Sequence, residues 1–356
     1  MDIEQVMGGI RVAFEKIAKN CIYAYLYDIE PLFGVFSLLN GEEVHRLCSD
    51  IYGKKQTDEW RKQYHFLFET YEAVKQLELF NMLDILLDVF DESFTLKGFY
   101  EHLSSMPEDE RLYKMAGWSY NKVSREEISH ALHDDAALDA IYVKTQDTVP
   151  SFLGLSTFIR QNSRFVKEFF ELAEELNAPS LKGAVDAHSE AFESFKQTVS
   201  GTLETEKPLE ASQLIMGKTF HNRGPYETFY FVPSLLMPGK AIRLFYDNGT
   251  KHNKQILICS IREKAKDPKD TVAALKAFSD ETRYRILKLI SANGPMKGQD
   301  IVKQLQLAPS TISHHMNELK ESGLITEESV KTAKYYGLAS GRFKEVLEAV
   351  REDFNL

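Results

Sequence analysis

The stretch APSTISHHMNELKESGLI runs from Ala308 to Ile325. Its apolar residues Ile312, Met316 and Leu319 recur at spacings of four and three, the period of one helix face. Ser310, Ser313, His314 and Asn317 fall together on the opposite side. Pro309 suits the first turn, where its missing N–H costs nothing. Gly323 suits the position just past the helix end. A merely solvated face would carry Lys and Glu, as Glu318, Lys320 and Glu321 do further along. The outer face is instead small, uncharged and rich in donors and acceptors. Such groups fit base edges and phosphates in a DNA major groove. The helix N-terminus adds N–H groups for phosphate.

The flanking sequence gives this helix its setting. Thr271–Phe278 reads as one helix. A second begins at Asp280, a good N-cap, and places Ile286, Leu287 and Ile290 inward before Asn293-Gly294-Pro295 stops it. The spacing predicts a third helix over MKGQDIVKQLQ, from Met296, with Ile301, Val302 and Leu305 inward. After Gly323, LITEE and AKYYGLA read as two strands joined by a short polar turn. A last helix, GRFKEVLEAVREDF, aligns Phe343, Val346, Leu347, Val350 and Phe354. A short helix, a tight turn, a second helix with a polar outer face and a hairpin make a winged helix-turn-helix.

LKAFSDETRYRILKLI, followed by QDIVKQLQLAPSTISHHMNELKESGLI and then KYYGL, resembles the ArsR-type winged-helix repressors over residues 271–356. The long N-terminal region resembles, more loosely, relatives that carry an extra regulatory domain. The resemblance implies a sequence-specific regulator of transcription, by default a repressor, that binds double-stranded DNA as a homodimer on a palindromic operator. Its DNA-binding set would be Gln299, Pro309, Ser310, Thr311, Ser313, His314 and Asn317, with Lys331 and Lys334 on phosphates. Thr311 could serve local capping instead. The family pairs its first and last helices across a two-fold axis. The Phe343, Val346, Leu347 and Val350 stripe fits that use, with packing against the N-terminal region as the alternative.

Two features depart from the family pattern. The third helix opens Met296, Lys297, Gly298, Gln299 without the cysteines through which many relatives sense metals, and the last helix lacks histidine. No metal and no cofactor is expected. The wing has Glu327 and Glu328 before its turn and no arginine. Adjacent His314 and His315 point about 100° apart on a helix, so both cannot reach one metal. His314 is the exposed member and His315 a packed one. Arg283 and Arg285 suit salt bridges or DNA contacts.

The rest of the chain differs in charge. From Thr271 to Leu356 there are 12 Lys and Arg against 11 Asp and Glu. Of the total of 43 basic and 53 acidic groups, the remaining 31 and 42 belong to the first 270 residues. The acidity therefore excludes a chain that binds nucleic acid along its whole length. The near-neutral last quarter keeps open an interaction protein whose winged helix docks another protein. Cys21, Cys48 and Cys259 are scattered and odd in number, as in a reducing cytosol. The opening MDIEQVMGGI has no apolar run of a signal peptide, and LFNMLDILLDVF is too short and too charged to span a bilayer. A cytoplasmic protein without a membrane partner is expected.

The fold class expected is mainly α with small β elements. Residues 1–20 suggest an amphipathic helix and CIYAYLYDI a strand; Glu30 to about His221 is helical, with Phe165, Phe169, Leu172 and Leu176 on one face. Short strands follow at 228–236, 241–246 and 254–261, with a hairpin turn at Asp247-Asn248-Gly249-Thr250. Residues 1–262 would form a regulatory, sensor or dimerisation domain, 263–270 a charged linker containing Pro268, and 271–356 the winged helix. Aromatic side chains in CIYAYLYDIEPLFGVF and FFELAEELN could line a pocket for a small-molecule effector, or simply fill the core.

Enzyme motifs are imperfect. Gly217-Lys218-Thr219 ends a P-loop whose first glycine would be Ser212. Ser156 sits in a near nucleophile elbow whose last glycine is Phe158. Asp134, Asp135 and Asp139 read as a solvated acidic face. No enzyme is expected.

Overall fold

The computed structural model describes residues 12–40, 42–77, 79–116, 123–221, 223–245, 253–261, 268–330, 333–339, 341–343, 346–347 and 350. The chain divides into two compact units. One combines Met1–Ser200 with Tyr226–Ile261, and the other combines Gly201–Pro225 with Arg262–Leu356. The segment Gly201–Pro225, expected with the N-terminal region, thus groups with the C-terminal residues. Among the described residues the fold is mainly helical, with two small sheets.

The first unit is built on a five-stranded mixed sheet. Its strands are β1 (Val12–Ala18), β2 (Cys21–Leu26), β3 (Thr228–Ser234), β4 (Ala241–Phe245) and β5 (Lys254–Ser260), in the order β1-β2-β3-β5-β4. β1 and β2 form an antiparallel hairpin, from Val12 opposite Leu26 to Ala18 opposite Cys21. The helix expected over residues 1–20 is therefore a strand from Val12 onward, and residues 1–11 lie outside the described residues. Ladder pairing with β2 outweighs the helical spacing read in VAFEKIA, a tertiary override of local propensity. β2 and β5 pair in parallel with β3 on either side, and β4 pairs antiparallel with β5. The strands expected over 228–261 thus share one sheet with the N-terminal hairpin. The turn expected at 247–250 lies outside the described residues.

A parallel β2–β3 pair needs a crossover, and here nearly all the unit's helices form it. The first, Ile29–Asn40, follows β2 after a two-residue turn and is buried from Ile29 to Leu39. It is apolar almost all round, as a fully enclosed helix should be. Its one acid, Glu30, is fully buried. The carboxylate accepts hydrogen bonds from Ser234 Oγ (2.9 Å), Leu235 N (2.9 Å) and Leu236 N (2.8 Å), just past β3. Ser37 Oγ donates to the Leu236 carbonyl at 2.7 Å. The helix Asn162–Leu176 buries Phe165, Phe169, Leu172 and Leu176, and Phe169 meets Phe36 edge to face at 5.0 Å. Tyr25, Phe33, Phe36 and Phe169 are core residues, so packing accounts for most of the aromatic side chains considered for a pocket.

The second unit has its own core. Helices Pro268–Phe278, Glu281–Asn293, Gly298–Leu305 and Pro309–Glu321 are followed by β7 (Ile325–Val330) and β8 (Ala333–Leu338). The short β6 (Met296–Lys297) pairs with Tyr336 and Tyr335, giving the sheet order β6-β8-β7. The third helix therefore starts at Gly298, not Met296, because two residues are drawn into the sheet. Residues 268–270 are helical; the rest of the stretch expected as a linker, 263–267, lies outside the described residues. Ile286, Leu287, Ile290, Ile301, Ile312, Met316 and Leu319 fill the core, while Val302 and Leu305 are half-buried against it. The order of elements is that of a winged helix-turn-helix.

Among the described residues, no helix is long and apolar enough to cross a membrane, and no group of His, Cys, Asp and Glu could hold a metal ion.

Two substitutions test these supports. Glu30→Ala leaves three buried donors without this acceptor and should lower stability by about 3 kcal/mol in urea unfolding, while Glu30→Gln, which keeps an acceptor oxygen, should cost less. Asp280 caps the Glu281–Asn293 helix by accepting from Arg283 N at 2.8 Å. That hydrogen bond holds the Asp280 carboxyl below its ordinary range. A depressed folded pKa means that the cap contributes at neutral pH and fades as the pH falls through that pKa. Asp280→Ala should cost about 1 kcal/mol at neutral pH, and thermal melts should show the gap closing in acid.

Candidate nucleic-acid interface

The Gly298–Leu305 helix ends at Gln306, whose φ of 55° places a non-glycine residue in the left-handed region. The chain reverses there, and Pro309 starts the next helix at its first position. Ile312, Met316 and Leu319 anchor that helix in the core. Pro309, Ser310, Thr311, Ser313, His314 and Asn317 are all exposed, as is Gln299 near the start of the preceding helix. No side chain caps the Pro309–Glu321 helix, and its first turn has no acid. At the other end Gly323 adopts a φ of 72°, and the amides of Gly323 and Leu324 close onto the carbonyls of Lys320 and Leu319.

His315 faces inward and is half-buried, with Nδ1 3.6 Å from Asp280 Oδ1 and no hydrogen-bond partner for that nitrogen. Its neighbour His314 points outward, as two successive helix positions must. Arg283 is structural. Its Nε donates to the Ala277 carbonyl (3.0 Å) and its Nη2 to the Lys276 carbonyl (3.1 Å), with Nη1 3.8 Å from Glu318. Arg285 is exposed.

The wing is less acidic in effect than in composition. Lys334 Nζ lies 2.8 Å from Glu327 Oε1, and Lys320 Nζ 3.4 Å from Glu327 Oε2. Burial alone would raise the Glu327 carboxyl, but these two lysines hold it below its usual range. Lys334 stays exposed on one side of this pair. Lys331 lies outside the described residues.

Reading the winged helix alone misses what meets the wing from Gly201–Pro225. Lys218 Nζ donates to the Glu327 carbonyl at 3.5 Å. The His221 amide donates to Glu328 Oε2 at 3.2 Å. The His221 ring stacks on Tyr335, centroids 4.2 Å apart and planes 23° apart, and Lys297 Nζ lies 5.5 Å from the same Tyr335 ring. The only sequence signal is the basic, acid-free composition of residues 211–226.

Of the stripe assigned to dimerisation, Val346 is 1% exposed and belongs to the unit's own core. Phe343 meets Phe278 edge to face at 4.9 Å, Val350 is half-buried, and Leu347 is 64% exposed. Val272 and Leu275 of the Pro268–Phe278 helix are also exposed, at 47% and 41%.

The enzyme-like motifs have structural roles. Gly217 is the left-handed C-cap of the Pro208–Met216 helix. Ser156 lies within the Phe152–Arg160 helix, not on a strand-to-helix turn. Asp134 caps the Asp135–Thr145 helix by accepting from Ala137 N at 2.9 Å.

Comparison with known proteins agrees with this geometry. The family described as bacterial regulatory protein, arsR family, matches residues 280–327. An uncharacterized HTH-type transcriptional regulator of Methanocaldococcus jannaschii is 40% identical over 77 residues, which cover 22% of this chain and 86% of that protein. The transcriptional repressor SdpR of Bacillus subtilis is 38% identical over 63 residues, 18% of this chain and 69% of that protein. A cadmium resistance transcriptional regulatory protein CadC homolog of Staphylococcus aureus is 29% identical over 82 residues, 23% of this chain and 68% of that protein. With that family match at residues 280–327 and relatives 40% and 38% identical over most of their own length, the chain belongs to the ArsR family and carries an extra N-terminal region.

Proposed function

We propose that this chain is a DNA-binding transcriptional regulator that reads a palindromic operator as a homodimer and represses by occupying it. The observation that carries the reading is the exposed face of the Pro309–Glu321 helix. Ser310, Thr311, Ser313, His314 and Asn317 present hydroxyl, imidazole and amide groups while the opposite side is locked in the core. A side chain held by a rigid helix can discriminate between bases by about 1–3 kcal/mol for each well-formed pair of hydrogen bonds. Pro309 and Gln299 lie at the helix starts that approach the backbone, and Lys331 and Lys334 of the wing take phosphates. The dimer face is the exposed Leu347 with Val272 and Leu275, beside the Phe278–Phe343 contact.

The first unit senses a small-molecule effector. Its candidate site is a cleft of about 730 Å³ that Tyr64, Tyr100 and Phe170 line together with charged side chains such as Lys97, Lys167 and Glu175. Its volume lies in the range of small-molecule sites. An effector releases the operator only if it binds the DNA-incompetent state better. A cytoplasmic setting is supported by the scattered, odd-numbered cysteines Cys21, Cys48 and Cys259, all of them buried.

Genomic-fragment selection on the purified full chain, read by sequencing, should enrich a palindrome. Ser313→Ala and His314→Ala should each weaken binding to it by roughly 1–3 kcal/mol in fluorescence anisotropy. If both variants bind like the parent, the assigned face is not the reading face. If no duplex binds even at low salt, the winged helix docks a protein instead.

A further inference from the structure

The Gly217–Pro225 strip is not needed to complete the winged helix, whose core closes without it. Its composition stands out in an acidic region. Between Ala211 and Tyr226 there is no Asp or Glu, and within it lie Lys218, His221 and Arg223. The fold puts this strip against the wing. His221 stacks on Tyr335, Lys218 reaches the carbonyl of Glu327, and the His221 amide takes the Glu328 carboxylate. Arg223 is anchored by Glu210 (2.8 Å) and Gln213 (3.3 Å) and keeps half its side chain exposed.

The consequence is electrostatic. From Ile325 to Leu338 the wing carries Glu327 and Glu328 against Lys331 and Lys334, a formal charge of zero. Both acids are already engaged, Glu327 by Lys320 and Lys334 and Glu328 by the His221 amide. The strip then adds Lys218 and Arg223. With Arg223 shared with Glu210, the strip gives a wing that is neutral by itself one net positive charge, on a surface that a phosphate backbone complements. Cations drawn from outside the winged helix supply what this wing lacks.

We propose that Gly217–Pro225 is a second nucleic-acid contact, forming with β7 and β8 a composite wing that holds the phosphate backbone of duplex DNA. This inference rests on the DNA-binding reading above. The contact is sequence-independent, since lysine and arginine on phosphates position a protein without reading bases.

The test uses the full chain and short mixed-sequence duplex DNA, with affinity measured over a range of salt. Each neutralised phosphate contributes about 0.9 to the log–log salt slope. Lys218→Ala combined with Arg223→Ala should weaken binding and make the slope shallower by roughly 0.9 for every phosphate that a protomer no longer holds. Arg223→Lys, which keeps the charge but not the fork toward Glu210 and Gln213, should retain the slope. An unchanged affinity and slope in the double variant, with Ser313→Ala still impairing operator binding, overturns the proposal and leaves the DNA reading intact. A weakened His221→Ala beside an unaltered double variant also overturns it, since the strip would then only brace the wing. If the parent chain binds no duplex at low salt, the DNA reading itself fails and the proposal goes with it.

Discussion

A carboxylate buried without water survives only where donors replace its hydration. Glu30 meets that condition through Ser234, Leu235 and Leu236, which lie far along the chain. The bonds fasten the helix that leaves β2 to the turn that leaves β3. They therefore fix the two ends of the long helical crossover that makes β2 and β3 parallel neighbours. The burial of Ile29–Leu39 and the seating of Asn162–Leu176 on Phe36 accompany that closure. Losing the carboxylate would leave amides stranded at the centre of the unit.

The second unit is governed by a different constraint, the division of one helix into two faces. Ile312, Met316 and Leu319 must stay inside, so Ser313, His314 and Asn317 must stay outside. Around this helix, charges are largely spent on structure. Arg283 ties down the end of one helix, and Lys320 and Lys334 are shared with Glu327. A polar, uncharged face flanked by occupied charges, if it reads DNA as proposed, suits discrimination by hydrogen bonding more than bulk attraction. Backbone affinity must then come from elsewhere on the surface.

Much of this was legible in the sequence wherever the deciding partners are close in the chain. The Asp280 cap, Pro309 at a first helical position, Gly323 in the left-handed region and the period of Ile312, Met316 and Leu319 are local choices, and local chemistry reveals them. β1 was not legible, because VAFEKIA becomes a strand only through its ladder with β2. β6 is two residues long and exists only because Tyr335 and Tyr336 lie beside it. Glu30 reads as an ordinary first-turn acid until Ser234 is placed next to it. The stacking of His221 on Tyr335 has no sequence period at all, since residues 228–260 separate the two in the chain. For the polar face of the Pro309–Glu321 helix, outward position was legible, while the pairing of Glu327 with lysines was not, because it depends on distances across a hairpin.

The second unit is discontinuous, since Gly201–Pro225 belongs to it while Tyr226–Ile261 belongs to the other. A fragment beginning at residue 262 would keep the helix-turn-helix and its core. It would also bare the Tyr335 ring and free the Glu328 carboxylate from its amide donor. The winged helix of this chain is therefore not a cassette that can be lifted out at one cut. Grafting it onto another domain, or trimming it for study, requires carrying an interior segment of the preceding sequence along with it.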